Sequence, residues 1–245
     1  MSLPELSVVV PAFNEAGNAG RLADEIAAVL RGRITFEMVF VDDGSQDGTL
    51  AELRAAQERH SELRVLEHLA RSGQSLALRT GAKAARGAWI ATLDGDGQND
   101  PADIPKLLAE RAKAAPEVKC FAGWRTTRRD SVGKRIGSTV ANAVRSRLLR
   151  DATPDTGCGL KLFEREAFLD LPWFHHAHRY IPALMQRAGW RTLSVPVNHR
   201  PRATGTSKYN NLGRLLVAFA DLQGVAWLIR RNRRTAVREH PAGRP

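Results

Sequence analysis

The amino-acid sequence predicts an α/β protein, a mostly parallel sheet with helices on both faces and a C-terminal helix. Three observations predict it. Short, near-continuous apolar runs alternate with amphipathic stretches through the first half of the chain, as in parallel sheets buried on both faces. Polar, loop-forming residues follow three of those runs, as at the carboxyl ends of strands where such sheets bind ligands. A hydrophobic content of 43% over 245 residues is enough for a real core.

The elements follow in order. Residues 6–10 (LSVVV) read as a buried strand ended by Pro11. Residues 18–31 are amphipathic, with Leu22, Ile26, Val29 and Leu30 on one face. Residues 36–41 form a second strand, ended by Asp42-Asp43-Gly44-Ser45, in which Asp42 reads as a turn or capping residue. Asp47 can cap a helix over 48–60. Residues 63–66 make a short strand, 74–85 an Ala-rich helix and 88–93 a fourth strand. A helix then starts at Pro101, a first-turn proline, and 118–122 is a fifth strand. Residues 209–229 read as one long helix with a basic end, Arg230-Arg231-Asn232-Arg233-Arg234. The expected organisation is one α/β domain over 1–208, an amphipathic helix with a basic end over 209–234 and a disordered tail over 235–245.

The fourth strand ends in Asp94 and Asp96, with the amide Gln98 two residues on. Buried strands rarely end in two acids unless a cation is present. A divalent ion completed by a diphosphate suits these hard oxygens. An EF-hand starting at Asp94 fails, because its sixth and twelfth places hold Asn99 and Pro105. Neither the dinucleotide fingerprint nor the phosphate loop with Gly-Lys-Ser/Thr occurs, which excludes the commonest dehydrogenases and ATPases.

The formal net charge of +11 calls for an anionic partner: nucleic acid, anionic lipid or a phosphorylated substrate. A nucleic-acid-binding module lacks support, since no aromatic-interleaved basic surface or recognition motif appears and the acidic strand ends would go unexplained. Cys120 and Cys158 form no framework and read as reduced and structural. No signal peptide is expected, and no membrane span. The apolar part between Arg214 and Arg230 has fifteen residues, about 22 Å of helix against a ~30 Å hydrocarbon core. Two readings of that helix stand side by side: an interfacial helix with Phe219, Leu222, Trp227 and Ile229 toward lipid, and a helix packed on the domain or at a dimer contact. The residues 124–150 are strongly basic; Arg145, Arg147 and Arg150 read as a solvated helix face. His175, His176 and His178 fit no zinc spacing.

Val10-Pro11-Ala12-Phe13-Asn14-Glu15, Val41-Asp42-Asp43-Gly44-Ser45-Gln46-Asp47-Gly48-Thr49, Asp94-Gly95-Asp96-Gly97-Gln98, Asp155-Thr156-Gly157-Cys158-Gly159-Leu160-Lys161 and Arg202-Ala203-Thr204-Gly205-Thr206-Ser207-Lys208-Tyr209 resemble the inverting family-2 glycosyltransferases of GT-A fold. Within them the closer resemblance is to polyprenyl-phosphate and dolichol-phosphate sugar transferases, dolichol-phosphate mannosyltransferase included, over roughly residues 6–230. The resemblance implies that Pro11, Ala12, Phe13 and Glu15 line the base pocket and that Asp43 bonds the base edge. Arg71, Ser72, Gly73 and Gln74 would lie along the nucleotide. Asp94 and Asp96, with Gln98, would hold the nucleotide and Mg²⁺ or Mn²⁺. Arg125 and Arg135 resemble arginines that grip the acceptor phosphate, and Arg202, Ser207 and Lys208 would complete that loop. Asp96, Asp155 and Arg202 are the implied catalytic residues; Asp155 would orient a sugar hydroxyl or the acceptor, or act as a base, against the plainer readings of a helix cap or a loop salt bridge.

The implied activity is metal-dependent, inverting transfer of a hexose from GDP-mannose or a UDP-sugar to polyprenyl or dolichyl phosphate. It would act peripherally on the cytoplasmic membrane face, alone, as an oligomer or with a separate membrane-embedded partner. The alternative is a related GT-A glycosyltransferase acting on a cell-envelope glycan or lipid acceptor. Polymerisation is disfavoured, because Gln186-Arg187-Ala188-Gly189-Trp190 does not reproduce the Gln-x-x-Arg-Trp of polymerising relatives.

Overall fold

The computed structural model describes residues 3–126, 145–149, 151, 153–201, 211–233, 235 and 238. Seven strands form one sheet: β1 (Leu6–Ala12), β2 (Phe36–Asp42), β3 (Leu63–Glu67), β4 (Trp89–Thr92), β5 (Val118–Arg125), β6 (Lys161–Glu164) and β7 (Arg191–Val197), in the order β3-β2-β1-β4-β6-β5-β7. β6 runs antiparallel to both neighbours, and the other pairings are parallel. The helices are α1 (Ala19–Leu30), α2 (Thr49–Arg59), α3 (Gln74–Ala84), α4 (Ile104–Lys113), α5 (Arg165–Leu169), α6 (Ile181–Ala188) and α7 (Asn211–Arg230), with a further helical turn over 145–149. The predicted mostly parallel sheet with helices on both faces is what forms.

The alternation within β1 explains the two layers. Val8 and Val10 pack with α1, α2 and α4, while Val9 faces the other core with Ala77, Phe163, Ile181 and Leu184. Helix α3 lies close on that second face because of Gly81. A Cβ there would sit 2.4 Å from Val9 Cγ1 and 3.2 Å from Val41 Cγ2. This close approach sets where the N-terminus of α3 reaches the strand ends.

Three readings are corrected. β1 does not stop at Pro11 but runs to Ala12. The backbone groups of Val9 and Pro11 point toward β4, where Val9 O accepts from Leu93 N, and β4 ends at Thr92. The missing proline N–H therefore forfeits no ladder bond. Arg145 is not on a solvated face. It is buried, and its Nη1 donates to Asp151 Oδ2 at 2.5 Å and its Nη2 to Thr153 O at 2.7 Å. Third, Leu222 and Ile229 of α7 pack inward with Val225 and Ala226, so they do not face lipid. α7 is tied down by Tyr180 Oη to Ala218 O, Arg187 Nε to Leu228 O and Asn232 Nδ2 to Arg187 O. Val217, Phe219 and Trp227 stay exposed. No helix among the described residues is long and apolar enough to cross a membrane.

Gly81→Val overfills the α3–sheet contact, and this outweighs any gain in helix propensity. The expected loss is about 2 kcal/mol, a fall in Tm of about 4–8 °C in thermal unfolding. An unchanged Tm would mean that α3 is free to lift off the sheet.

Candidate active site

The site lies at the carboxyl ends of β1, β2, β4 and β5. Its first wall is two interlocked loops. After β1, Asn14 takes a left-handed conformation (φ 52°), its N–H donates to Ser45 Oγ, and its Oδ1 accepts from Gln46 N. Glu15 N donates to Thr49 Oγ1 and Ala16 N to Asp47 Oδ2. After β2, Gly44 has φ +72°, and a Cβ there would meet Arg71 N at 2.9 Å, so the loop at 70–73 folds directly over it. Asp43 fastens this junction. Its carboxylate accepts from Ser72 N (2.9 Å) and Gly73 N (2.7 Å), and it lies 2.8 Å from His68 Nδ1. The Arg71 guanidinium sits 4.3 Å above the Phe13 ring. Pro11, Ala12, Phe13, Glu15, Asp43, Arg71 and Gly73 thus converge on one wall. Asp43 spends both oxygens on the protein, with lone pairs to spare for a ligand. Asp42 accepts from Ser45 N, in agreement with a turn role.

The floor is the β4 end. Asp94 is half-buried and Asp96 buried. Gln74, at the start of α3, donates from Nε2 to Asp94 Oδ1 at 2.8 Å. Asn99 Oδ1 accepts from Asp94 N at 3.0 Å, and Gln98 N donates to Asp96 Oδ1 at 3.1 Å. Burial and the neighbouring Asp96 charge push the Asp94 carboxyl up to about 6, against the opposing pull of Lys161, Arg125 and Gln74. Behind this loop, Arg200 N donates to Gln98 O, and the Arg200 guanidinium bonds Glu25 and Asp100.

The third wall is the turn from Asp155 to Lys161. Arg125, the last residue of β5, donates from Nε to Asp155 Oδ2 (2.7 Å) and from Nη2 to Asp155 Oδ1 (2.9 Å), a bidentate fork. The salt-bridge reading of Asp155 is therefore realised. Two glycines of this turn touch both halves of the site. A Cβ on Gly157 would meet Arg125 Nη2 at 3.2 Å; one on Gly159 would meet Asp94 Oδ2 at 2.3 Å and Asn99 Oδ1 at 2.6 Å. The Arg125–Asp155 pair and the Asp94–Asp96 pair are thereby brought together. Arg135, Arg202, Ser207 and Lys208 lie outside the described residues.

Sequence reading missed Asn99, Gly159 and Lys161 as parts of the site. Gly-Cys-Gly was the available signal for a close approach. His178 likewise bonds Ser75, its Nδ1 2.6 Å from Ser75 Oγ, and burial with the charges of Arg179, Lys161, His176 and His175 pushes it down to about 3. It is thereby tied to the first turn of α3, where its main-chain N–H also donates to Ser75 Oγ. No cluster of three or more His, Cys, Asp or Glu gathers among the described residues. Two neighbouring carboxylates that repel each other, plus an amide, are a donor set for an oxygen-seeking divalent ion that takes its remaining ligands from a bound diphosphate. The residues fit Mg²⁺ or Mn²⁺.

The chain matches glycosyl transferase family 2 over residues 7–171. It belongs to that family. A dodecaprenyl-phosphate galacturonate synthase of Rhizobium johnstonii is 36% identical over 231 residues, 92% of this chain and 68% of that protein. An undecaprenyl-phosphate 4-deoxy-4-formamido-L-arabinose transferase of Pseudomonas aeruginosa is 36% identical over 220 residues, 89% of this chain and 63% of its own length. The fold is that of solved GT-A glycosyltransferases. Glucosyl-3-phosphoglycerate synthase of Mycobacterium tuberculosis, with Mn²⁺, UDP and product, gives a TM-score of 0.70 at 18% identity, covering 92% of this chain and 80% of that one. A Pyrobaculum calidifontis mannosyltransferase with GDP-mannose and Mn²⁺ gives 0.66 at 23%, covering 97% and 67%.

The raised Asp94 pKa has a stability consequence. Unfolded, the carboxyl ionises near 3.9; folded, it resists ionisation until about pH 6. Asp94 therefore takes stability away from the ligand-free protein as pH rises from about 4 to about 6. Asp94→Asn removes that loss. Urea unfolding without metal should show the variant more stable at pH 7.5 by about 3 kcal/mol, with most of the difference gone at pH 4.

Proposed function

We propose that this family-2 glycosyltransferase moves a glycosyl group from a nucleoside-diphosphate sugar to a polyprenyl phosphate, with inversion at the anomeric carbon. The observation that carries the reading is the Gly157–Gly159 turn. It brings an acidic, metal-competent pair for the donor diphosphate against an arginine suited to a second phosphate. The relatives named for polyprenyl-phosphate acceptors, 36% identical over most of this chain, support it.

In this reading the loops around Phe13, Asp43 and Arg71 take the base, and Gln74 lies beside the diphosphate. Asp94, Asp96 and Gln98 hold Mg²⁺ or Mn²⁺, which supplies the positive charge that stabilises the departing nucleoside diphosphate. The acceptor is a phosphomonoester with a second pKa near ~6, so it is largely dianionic at neutral pH and needs no strong base. Its oxygen attacks the anomeric carbon as the bond to the donor phosphate breaks. Arg125, fixed by Asp155 through Nε and Nη2, keeps its Nη1 edge for the acceptor phosphate. Asp155 then acts as the orienter of Arg125 rather than as a base. Arg135, Arg202, Ser207 and Lys208 belong to the same phosphate-binding role.

The donor base and the sugar stand as GDP-mannose or a UDP-sugar, and the relatives that are 36% identical are named for galacturonate and 4-deoxy-4-formamido-L-arabinose. Exposed Val217, Phe219 and Trp227, with exposed Arg230, Arg231 and Arg233 at the end of α7, suit peripheral docking on an anionic cytoplasmic membrane face.

The test is transfer of labelled sugar to undecaprenyl phosphate from GDP-mannose, UDP-glucose and UDP-galacturonate, with Mn²⁺. One donor should be used. Asp96→Ala should lower kcat/KM about 10²- to 10³-fold. Arg125→Lys, which keeps charge but loses the fork, should cost about tenfold, mainly in acceptor KM. Nucleotide binding with no transfer to any polyprenyl phosphate would move the acceptor to another class.

A further inference from the structure

Lys161 is the first residue of β6, only 4% exposed, and enters no ion pair among the described residues. Its ammonium is capped by main-chain carbonyls, Thr156 O at 3.3 Å and Cys158 O. A buried cation held only by neutral groups is costly unless a nearby field compensates. The compensating field comes from Asp94 across the turn, with Asp96 beside it. Gly159, two residues before Lys161, abuts the Asp94 carboxylate, and the Lys161 charge acts on Asp94 in the sense that favours its ionised form. The same turn is fixed by two further carbonyls: Thr92 Oγ1 donates to Gly159 O at 2.6 Å, and Gly123 N donates to Leu160 O at 2.9 Å. The ammonium therefore cannot leave the carbonyls of the turn that abuts Asp94 without breaking that turn.

We propose that Lys161 is a positioning residue whose buried charge makes divalent-metal binding depend on the nucleoside diphosphate. The two carboxylates alone offer a dication a charge of −2. With the ammonium behind them the site presents about −1, so a bare metal ion is held weakly. A diphosphate reverses the balance, because its negative oxygens are attracted both by the metal and by Lys161. The site then loads metal and nucleotide together and resists occupation by metal alone. This inference rests on the nucleotide-sugar reading of the site.

The experiment titrates Mn²⁺ by electron paramagnetic resonance, without nucleotide and with saturating GDP or UDP, on wild type, Lys161→Gln and Lys161→Met. Glutamine still donates to the two carbonyls but carries no charge. Wild type should bind Mn²⁺ at least tenfold more tightly with nucleotide. Both variants should bind bare Mn²⁺ more tightly, by on the order of tenfold, and the nucleotide more weakly by a similar factor. A purely structural role would weaken both, most in the methionine variant, and that result overturns the proposal. Equal wild-type Mn²⁺ affinity with and without nucleotide also overturns it, and stands even if neither variant folds. If wild type binds no nucleotide in Mn²⁺, the functional reading itself fails, and this inference with it.

Discussion

Asp94 and Asp96 repel each other, and the fold holds them together regardless. β4 is buried on both faces and ends at Thr92, so the two acids emerge where water is scarce and a neighbouring carboxylate is close. The surrounding contacts partly offset that conflict. Gln74 reaches Asp94 from α3, Asn99 takes the Asp94 N–H, and Lys161 and Arg125 add positive charge from β6 and β5. Like charges kept near each other in a protected site are a store of affinity for a cation. Much of the site's construction can be understood as holding that store open for a ligand.

The single antiparallel strand is central to this. Because β6 runs against β4 and β5, the turn that leads into it arrives at the carboxyl-end rim, beside the ends of its parallel neighbours. A parallel strand there would begin at the opposite edge. The turn can approach Asp94 so closely only because Gly159 has no side chain, and it meets Arg125 through Gly157. Donor and acceptor functions are thus set by one short segment, and small changes in that segment should be felt on both sides.

Much of this was legible in the sequence. The first four strands and their helices announced themselves by apolar runs punctuated with Gly, Pro and Asp, because β1, β2 and β4 are covered on both faces and the edge strand β3 is half-buried. β6 and β7 were not anticipated. β6 is only four residues, and its first is a lysine; β7 is an edge strand with exposed Arg191, Ser194 and Pro196, so neither shows a long apolar run. Asp94 and Asp96 stood out because a buried strand rarely ends in two acids; Asp43 did so through the family resemblance. Asn99 and Lys161 did not, since nothing local marks a buried amide or ammonium whose partners lie across the sheet. The α7 helix was ambiguous for a related reason: it is apolar nearly all round, and only tertiary contacts decide that Leu222 and Ile229 face in while Phe219 and Trp227 face out.

The most direct test is a crystal structure with Mn²⁺ and the nucleoside diphosphate that the protein selects, with anomalous data at the manganese edge. An anomalous peak within coordination distance of the Asp94 or Asp96 carboxylate, shared with diphosphate oxygens beside the Gly157–Gly159 turn, is the predicted result. A nucleotide bound at this rim with manganese elsewhere, or with no manganese at all, would contradict the assignment of the acidic pair.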